Sequence, residues 1–313
     1  MTSFFNRLFR RKTSPTSTSS ISHINPEKPL PVDHVQVAGT IESTGSSFAQ
    51  TRPHLEVPQL IVGVAQSIGI QRDHNEDSAF TLTTNLLVDE LTMNFGLYIV
   101  ADGMGGHENG ELASRLAVDN LASHVINNLY LPLISSSNSK HEFSLHEVML
   151  AGALQAHQVI KKETDGGGTT LTAALILGNQ LTITHVGDSR AYYIDPIGNM
   201  KLLTRDHTLV KRLEEIGQIS SDEALTHPQR NVLYRALGQG EPFEPDISSM
   251  QVCQGCQLLI CSDGLWGVIP DNDLAAIANS SLAPQFACQS LVQSANEAGG
   301  PDNISVIIVR LPG

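Results

Sequence analysis

Tyr98-Ile99-Val100-Ala101-Asp102-Gly103-Met104-Gly105-Gly106-His107 is the stretch whose reading decides the fold. The apolar run 96–101 has the continuity of a buried strand, and it stops at Asp102. The glycines that follow permit a tight turn and close approach of the backbone to a ligand. An amphipathic stretch at about 109–129 comes next, with Leu112, Leu116, Leu121, Val125 and Leu129 suggesting one buried face. Strand, carboxylate, glycine turn and helix together hold an acid rigidly at the edge of a sheet. Further acids lie in Asn75-Glu76-Asp77, Ser262-Asp263-Gly264 and Pro301-Asp302-Asn303, each beginning or ending an apolar run. Hard divalent ions take oxygen ligands, so the pattern predicts a multi-acidic metal site. Taken singly, each Asp is a turn or helix-cap residue, and spacing alone does not make the carboxylates converge.

Working outward, 60–67 and 78–83 read as strands on either side of the polar loop Arg72-Asp73-His74-Asn75-Glu76-Asp77. A second helix is expected over 145–161. Short strands at 169–177, 180–186, 190–195 and 200–203 are separated by Gly178-Asn179, Gly187-Asp188-Ser189 and Ile197-Gly198-Asn199, a meander of hairpins. A short helix at 209–216 and a polar segment at 218–231 precede strands at 247–251 and 257–261. Helices at 274–278 and 284–296 and a closing strand at 303–310 complete the chain. Two successive helices between β-rich segments argue against βαβ alternation. The expected class is α+β, a four-layer α-β-β-α sandwich of two mostly antiparallel sheets with helices outside.

The 313 residues are 41% apolar, with a mean hydropathy of -0.05, which suits one large soluble domain over 60–313. No apolar run approaches the length of a membrane span. Residues 1–59, rich in Ser, Thr and Pro, are expected to be a disordered extension. Phe4, Phe5, Leu8 and Phe9 with Arg7, Arg10, Arg11 and Lys12 could form a membrane-surface helix, or simply a basic tail. The net charge of -13 is concentrated in 60–313, where 13 Lys or Arg face 28 Asp or Glu. So acidic a body repels phosphate backbones, which excludes nucleic acid as a partner. Four cysteines do not amount to a disulfide framework, and a reducing cytoplasm is the expected setting. Cys253-x-x-Cys256, with no His near, reads as a turn carrying two incidental thiols. Gly166-Gly167-Gly168-Thr169-Thr170 lacks the Gly-Lys-Ser/Thr ending of a phosphate-binding loop and reads as a turn into a central strand.

The ordered set of motifs resembles the metal-dependent serine/threonine protein phosphatases of the PPM, or type 2C, family in their bacterial form. The resemblance covers roughly 60–310. It runs through Arg72–Asp77, Val100–His107, Gly168-Thr169-Thr170, Gly187-Asp188-Ser189-Arg190, His227–Val232 with Arg235-Ala236-Leu237-Gly238, Ser262–Trp266 and Asp302-Asn303. It implies hydrolysis of phosphoserine and phosphothreonine in proteins by a metal-activated water, with no phosphoenzyme. By the same resemblance, Asp102 bridges two Mn2+ or Mg2+ ions. Asp263 and Asp302 complete the first ion, and the carbonyl of Gly103 serves the second. Glu76 and Asp77 match residues that orient water, Arg72 the arginine that grips phosphate, and Asp188 a ligand of a third ion. Segment 206–230 matches the variable flap, whose Arg212, His227 and Arg230 would touch protein substrates. The implied partners are phosphorylated proteins, including substrates or autophosphorylated forms of Ser/Thr kinases, met by a monomer.

One position departs from the eukaryotic pattern. Met104 stands where those members carry a His after the Asp-Gly, and His107 is read as a helix-capping or packing residue. Trp266 is expected to pack beside Asp263. Two alternatives compete: a phosphatase-like scaffold that has lost activity, and a metal phosphoesterase acting on small molecules. The first would be missing a metal carboxylate, yet Asp102, Asp263 and Asp302 are all present.

Overall fold

The computed structural model describes residues 59–88, 91–135, 144–280 and 283–312. The expected disorder and membrane-surface contact of the N-terminal extension fall outside the described residues. Strands β1 (Ile61–Ser67), β2 (Asp77–Val88) and β3 (Leu91–Met104) lead into α1 (His107–Val125), a π turn (Ile126–Tyr130), α2 (Leu131–Ile134) and α3 (Leu145–Glu163). The meander is β4 (Gly168–Thr169), β5 (Leu171–Leu177), β6 (Gln180–Val186), β7 (Arg190–Ile194) and β8 (Met200–Leu202). After α4 (Leu209–Glu215) and α5 (Ser221–Thr226) come β9 (Asp246–Gln251), β10 (Gln257–Cys261), α6 (Asp263–Trp266), α7 (Asp271–Ala278), α8 (Pro284–Glu297) and β11 (Ile304–Arg310).

One sheet has the order β1-β11-β10-β7-β8, and the other β2-β3-β5-β6-β9, with β4 paired to β3. Every pairing is antiparallel. β3 explains why the apolar run is continuous rather than alternating. Leu97, Ile99 and Ala101 pack with Leu121 and Val125 of α1 and Met149 of α3. Tyr98 and Val100 point the other way, into a core shared with Ile260 and Ile307 of the opposite sheet. Leu291 and Ala295 of α8 cover the outer face of that sheet at Leu259 and Ile308. The α-β-β-α sandwich is therefore present, with three apolar layers between four structural ones.

The differences from expectation are local. The first long helix begins at His107 and gives way after Val125 to a π turn. Its sheet-facing stripe is Ala113, Ala117 and Leu121, all fully buried, rather than the leucines at 112 and 116. Small side chains let the helix lie close to β3, where a leucine would overpack by about 1–3 kcal/mol. α3 is capped by Ser144, whose hydroxyl accepts from the amide of Glu147 at 3.2 Å. Within the polar segment 218–231 the sequence hid α5, which opens on a capping box between Ser220 and Glu223. Cys253 and Cys256, read as incidental thiols, are joined as a disulfide across the turn Gln254-Gly255, while Cys261 and Cys288 are free and buried.

Candidate active site

Adjacent strands deliver the acids in pairs. Asp77 opens β2, Asp102 lies near the end of β3, and the antiparallel register sets them directly opposite each other. In the other sheet Cys261 pairs with Val306, so Asp263, just after β10, and Asp302, just before β11, emerge side by side. Both pairs leave the same end of the sandwich, and hydroxyl groups join them. Asp77 Oδ2 accepts from Ser262 Oγ at 2.8 Å and from Ser305 Oγ at 2.7 Å. The amide of Glu76 donates to Asn303 Oδ1 at 2.8 Å, and Asn303 Nδ2 donates to the carbonyls of Ile68 and His74. Asn303 thereby ties the loop carrying Arg72 and Glu76 to the strand carrying Asp302.

Gly103 has a steric reason to be glycine. A Cβ there would lie 2.2 Å from the carbonyl oxygen of Gly110, and one on Gly110 would lie 2.1 Å from Glu76 Oε2. The start of α1 thus presses against the end of β3, and the backbone beside Asp102 stays accessible. Asp102 is also held from behind. Its amide donates to Thr170 Oγ1 at 2.9 Å, and its carbonyl accepts from the amide of Thr170 at 2.8 Å. Asp188 sits in the turn after β6, and its carbonyl accepts from Trp266 Nε1 at 2.9 Å.

Because these carboxylates converge, each feels the others' charge. Burial pushes Asp102 well above the usual carboxylate range, and the charges of Asp77, Asp263, Asp188 and Asp302 push it further. Burial raises Asp77 to about 7; Ser305 and Ser262 oppose the rise, while Asp263 and Asp302 add to it. Asp263 is pushed up to about 6 by burial and by Asp302, against a hydrogen bond with Asp102 and the charge of Arg72. Asp188 is raised by burial, then by Asp263 and Asp206. Two buried carboxylate oxygens, Asp77 Oδ1 and Asp263 Oδ1, have no hydrogen-bond partner. A buried, orphaned carboxylate oxygen is costly unless a cation reaches it. This all-oxygen donor set fits a hard divalent cation. Among the described residues, no three His, Cys, Asp or Glu side chains are already gathered as a closed ligand set. Asp302 turns instead to Arg72, whose Nη2 donates to its Oδ2 at 2.7 Å.

The structure brings Asp77, Asp102, Asp263 and Asp302 to one place, with Asp188 within electrostatic reach. Glu76 and Arg72 lie on the adjoining loop. Ser262 and Asn303 lie within the motifs of the resemblance, but their bonding roles, and that of Ser305 inside an apolar strand, were not readable from the sequence. Trp266 is more than packing, since its N–H holds the Asp188 turn.

The family model described as Protein phosphatase 2C matches residues 64–304. The chain belongs to the protein phosphatase 2C family. Among curated relatives, the "Serine/threonine phosphatase stp" of Listeria monocytogenes serovar 1/2a is 35% identical over 239 residues, covering 76% of this chain and 91% of that one. The "Protein phosphatase PhpP" of Streptococcus pneumoniae is 35% identical over 216 residues, 69% and 85% of the two chains. Among solved structures, the Mycobacterium tuberculosis serine/threonine phosphatase PstP/Ppp superposes with a TM-score of 0.69 at 30% identity, covering 82% of this chain and 100% of that one. The catalytic domain of PstP in complex with two manganese ions gives 0.67 at 28% identity, with 82% and 100% covered. The activity of this phosphatase is metal-dependent hydrolysis of phosphoserine and phosphothreonine in proteins.

Proposed function

We propose that Asp102, Asp263 and Asp302 of this phosphatase hold two divalent cations, Mn2+ or Mg2+, with the carbonyl of Gly103 as a further ligand and Asp188 serving a third. One observation carries the reading. Asp77 faces Asp102 directly across β2 and β3, Asp263 and Asp188 lie within reach of the same charges, and two of these carboxylate oxygens, Asp77 Oδ1 and Asp263 Oδ1, are buried without a partner. The two manganese ions of the PstP catalytic domain support the number of core ions. Bound ions supply the positive charge for a phosphoryl oxygen and an acidified water to attack phosphorus.

The chain's own residues do the rest. Arg72 is half exposed, and its guanidinium N–H groups other than the one on Asp302 are the donors for phosphate oxygens. Asp77, held by Ser262 and Ser305 through Oδ2, keeps Oδ1 as an acceptor that orients water. Glu76 has the same role from the loop, its backbone fixed by Asn303. Met104 cannot give a proton to the leaving serine or threonine oxygen, and an ion held at Asp188 would supply an acidified water for that role. The substrates in this reading are phosphoproteins, among them autophosphorylated Ser/Thr kinases and their products. Likeness to bacterial Ser/Thr phosphatases supports this. The deciding experiment is turnover of a phosphothreonine peptide by chelator-treated protein. Turnover should be nearly abolished and should return with Mn2+; full turnover without metal would refute the reading.

A further inference from the structure

Behind Asp188 lies a polar cluster that the reaction itself does not use. Arg190, two residues on, donates through Nε and Nη2 to both carboxylate oxygens of Asp206, at 3.1 and 2.7 Å. The flat face of its guanidinium lies 3.5 Å from the centre of the Trp266 ring. Trp266 Nε1 donates to the carbonyl of Asp188, and Trp266 ends the one-turn helix that Asp263 begins. Asp206 and His207 are the first two residues of the flap segment. His207 brackets Gly187 completely, its amide donating to the Gly187 carbonyl at 2.7 Å and its Nδ1 accepting from the Gly187 amide at 3.1 Å. On the far side, Ser189 Oγ meets Thr170 Oγ1 at 2.8 Å, and Thr170 holds the backbone of Asp102. The turn Gly187–Arg190 is therefore bonded at once to the strand of Asp102, the helix of Asp263 and the root of the flap.

We propose that Trp266, Arg190 and Asp206 form a positioning clamp that makes the seating of the flap and the placement of Asp188 a single property. This rests on the reading of Asp188 as a cation ligand. Flap movement that draws Asp206 away would release the Arg190 fork, free the indole and let the Asp188 turn shift. By linkage, an ion held at Asp188 would then steady the flap. None of the three residues touches the reacting atoms, so their effect is on position.

The test uses the full chain with conservative substitutions: Trp266→Phe, which keeps an aromatic stacking face and removes the N–H, and Asp206→Asn, which keeps the shape and removes the charge. Flap seating is read by the rate of trypsin cleavage at the exposed Arg212 and Arg230 in chelator-treated protein. Ion binding is read by calorimetric titration of Mn2+. The clamp predicts cleavage at least about fivefold faster in both variants, two tight ions retained, and the affinity of any further ion weakened by a similar factor. In wild type, Mn2+ at concentrations that fill the weak site should slow cleavage, and Asp188→Ala should abolish that protection. Unchanged cleavage in both variants, with Tm confirming the fold, overturns the clamp. An Asp188→Ala protein with unchanged ion stoichiometry overturns instead the ligand reading on which the coupling depends. The emission of Trp266, the single tryptophan, gives an independent readout. It should shift on Mn2+ addition in wild type and not in Asp206→Asn, and an equal shift in both contradicts the clamp.

Discussion

Asp206 and Asp77 are almost equally shielded from solvent, at 7% and 6% exposure, yet the chain treats them in opposite ways. Asp206 receives a two-pronged guanidinium from Arg190, itself stacked on Trp266, so its charge is neutralised inside the fold. Asp77 receives two hydroxyl donors on one oxygen and nothing on the other, with Asp102 across the strand pair. A fold able to neutralise one buried acid from its own residues has left a group of others without a matching cation. In the proposed reading the difference separates a structural ion pair, which is complete, from a receptor that takes its charge from outside.

The contrast breaks first under Asp102→Asn. Removing the acid at the centre of the cluster should lower turnover of phosphothreonine peptide by about 10^3 or more, some 4 kcal/mol in barrier. The same change should raise the Tm of the metal-free protein, because it removes one of several repelling charges. A lowered metal-free Tm would mean that Asp102 stabilises the fold and that the repulsion is not real. Arg190→Ala should do the reverse, leaving Asp206 buried and unpaired at a cost of about 3–5 kcal/mol in urea unfolding. A loss below about 1 kcal/mol would make the two aspartates alike after all.

Arg72→Ala sharpens the comparison, because Arg72 is the basic side chain bonded to the cluster and is half exposed. It should raise KM for a phosphopeptide about tenfold to a hundredfold while leaving Mn2+ stoichiometry intact, since a guanidinium donates and cannot ligate. Loss of a bound ion would show that Arg72 props Asp302 in place.

The smallest effect is on pH dependence. The folded-state values of about 7 for Asp77 and about 6 for Asp263 lie above their ordinary 3.8, so metal-free native protein binds more protons than the unfolded chain between about pH 4 and 7. Stability should therefore fall as pH rises through that window. Asp77→Asn should flatten the slope. A metal-free Tm that climbs from pH 5 to 7 would show that these acids are not held protonated.

Much of this was legible in the sequence, for identifiable reasons. A strand buried on both faces must be apolar throughout, so the middle of β3 announced itself, although the strand starts earlier, at Leu91, and runs two residues past Asp102. The motif order around Arg72, Asp188, Asp263 and Asp302 carried the family resemblance. Register was not legible. That Asp77 faces Asp102 follows from the register of β2 against β3, and Asp89-Glu90, the two residues between those strands, carry no glycine signal for a hairpin in the sequence. Helix α5 lay in a segment too polar to show an apolar stripe, and its capping box is the signal that would have found it. The links through Ser262, Ser305, Asn303 and Trp266 depend on side chains that meet only when two sheets stack. The turn to Asp302 taken by Arg72 was equally hidden, because 230 positions separate them.

In the proposed reading the acid cluster is uncompensated until divalent cations arrive. Calorimetric titration of Mn2+ into chelator-treated protein at pH 6, repeated in two buffers of different ionisation enthalpy, tests it most directly. Asp77, Asp102 and Asp188 are all pushed up by burial and neighbouring acids, so ion binding should release protons. The apparent enthalpy should then differ between the buffers by about one proton or more per protein, and two tight ions should bind. Asp102→Asn should abolish both the tight binding and the buffer dependence. Tight binding with no proton release, or binding untouched by Asp102→Asn, would contradict the account.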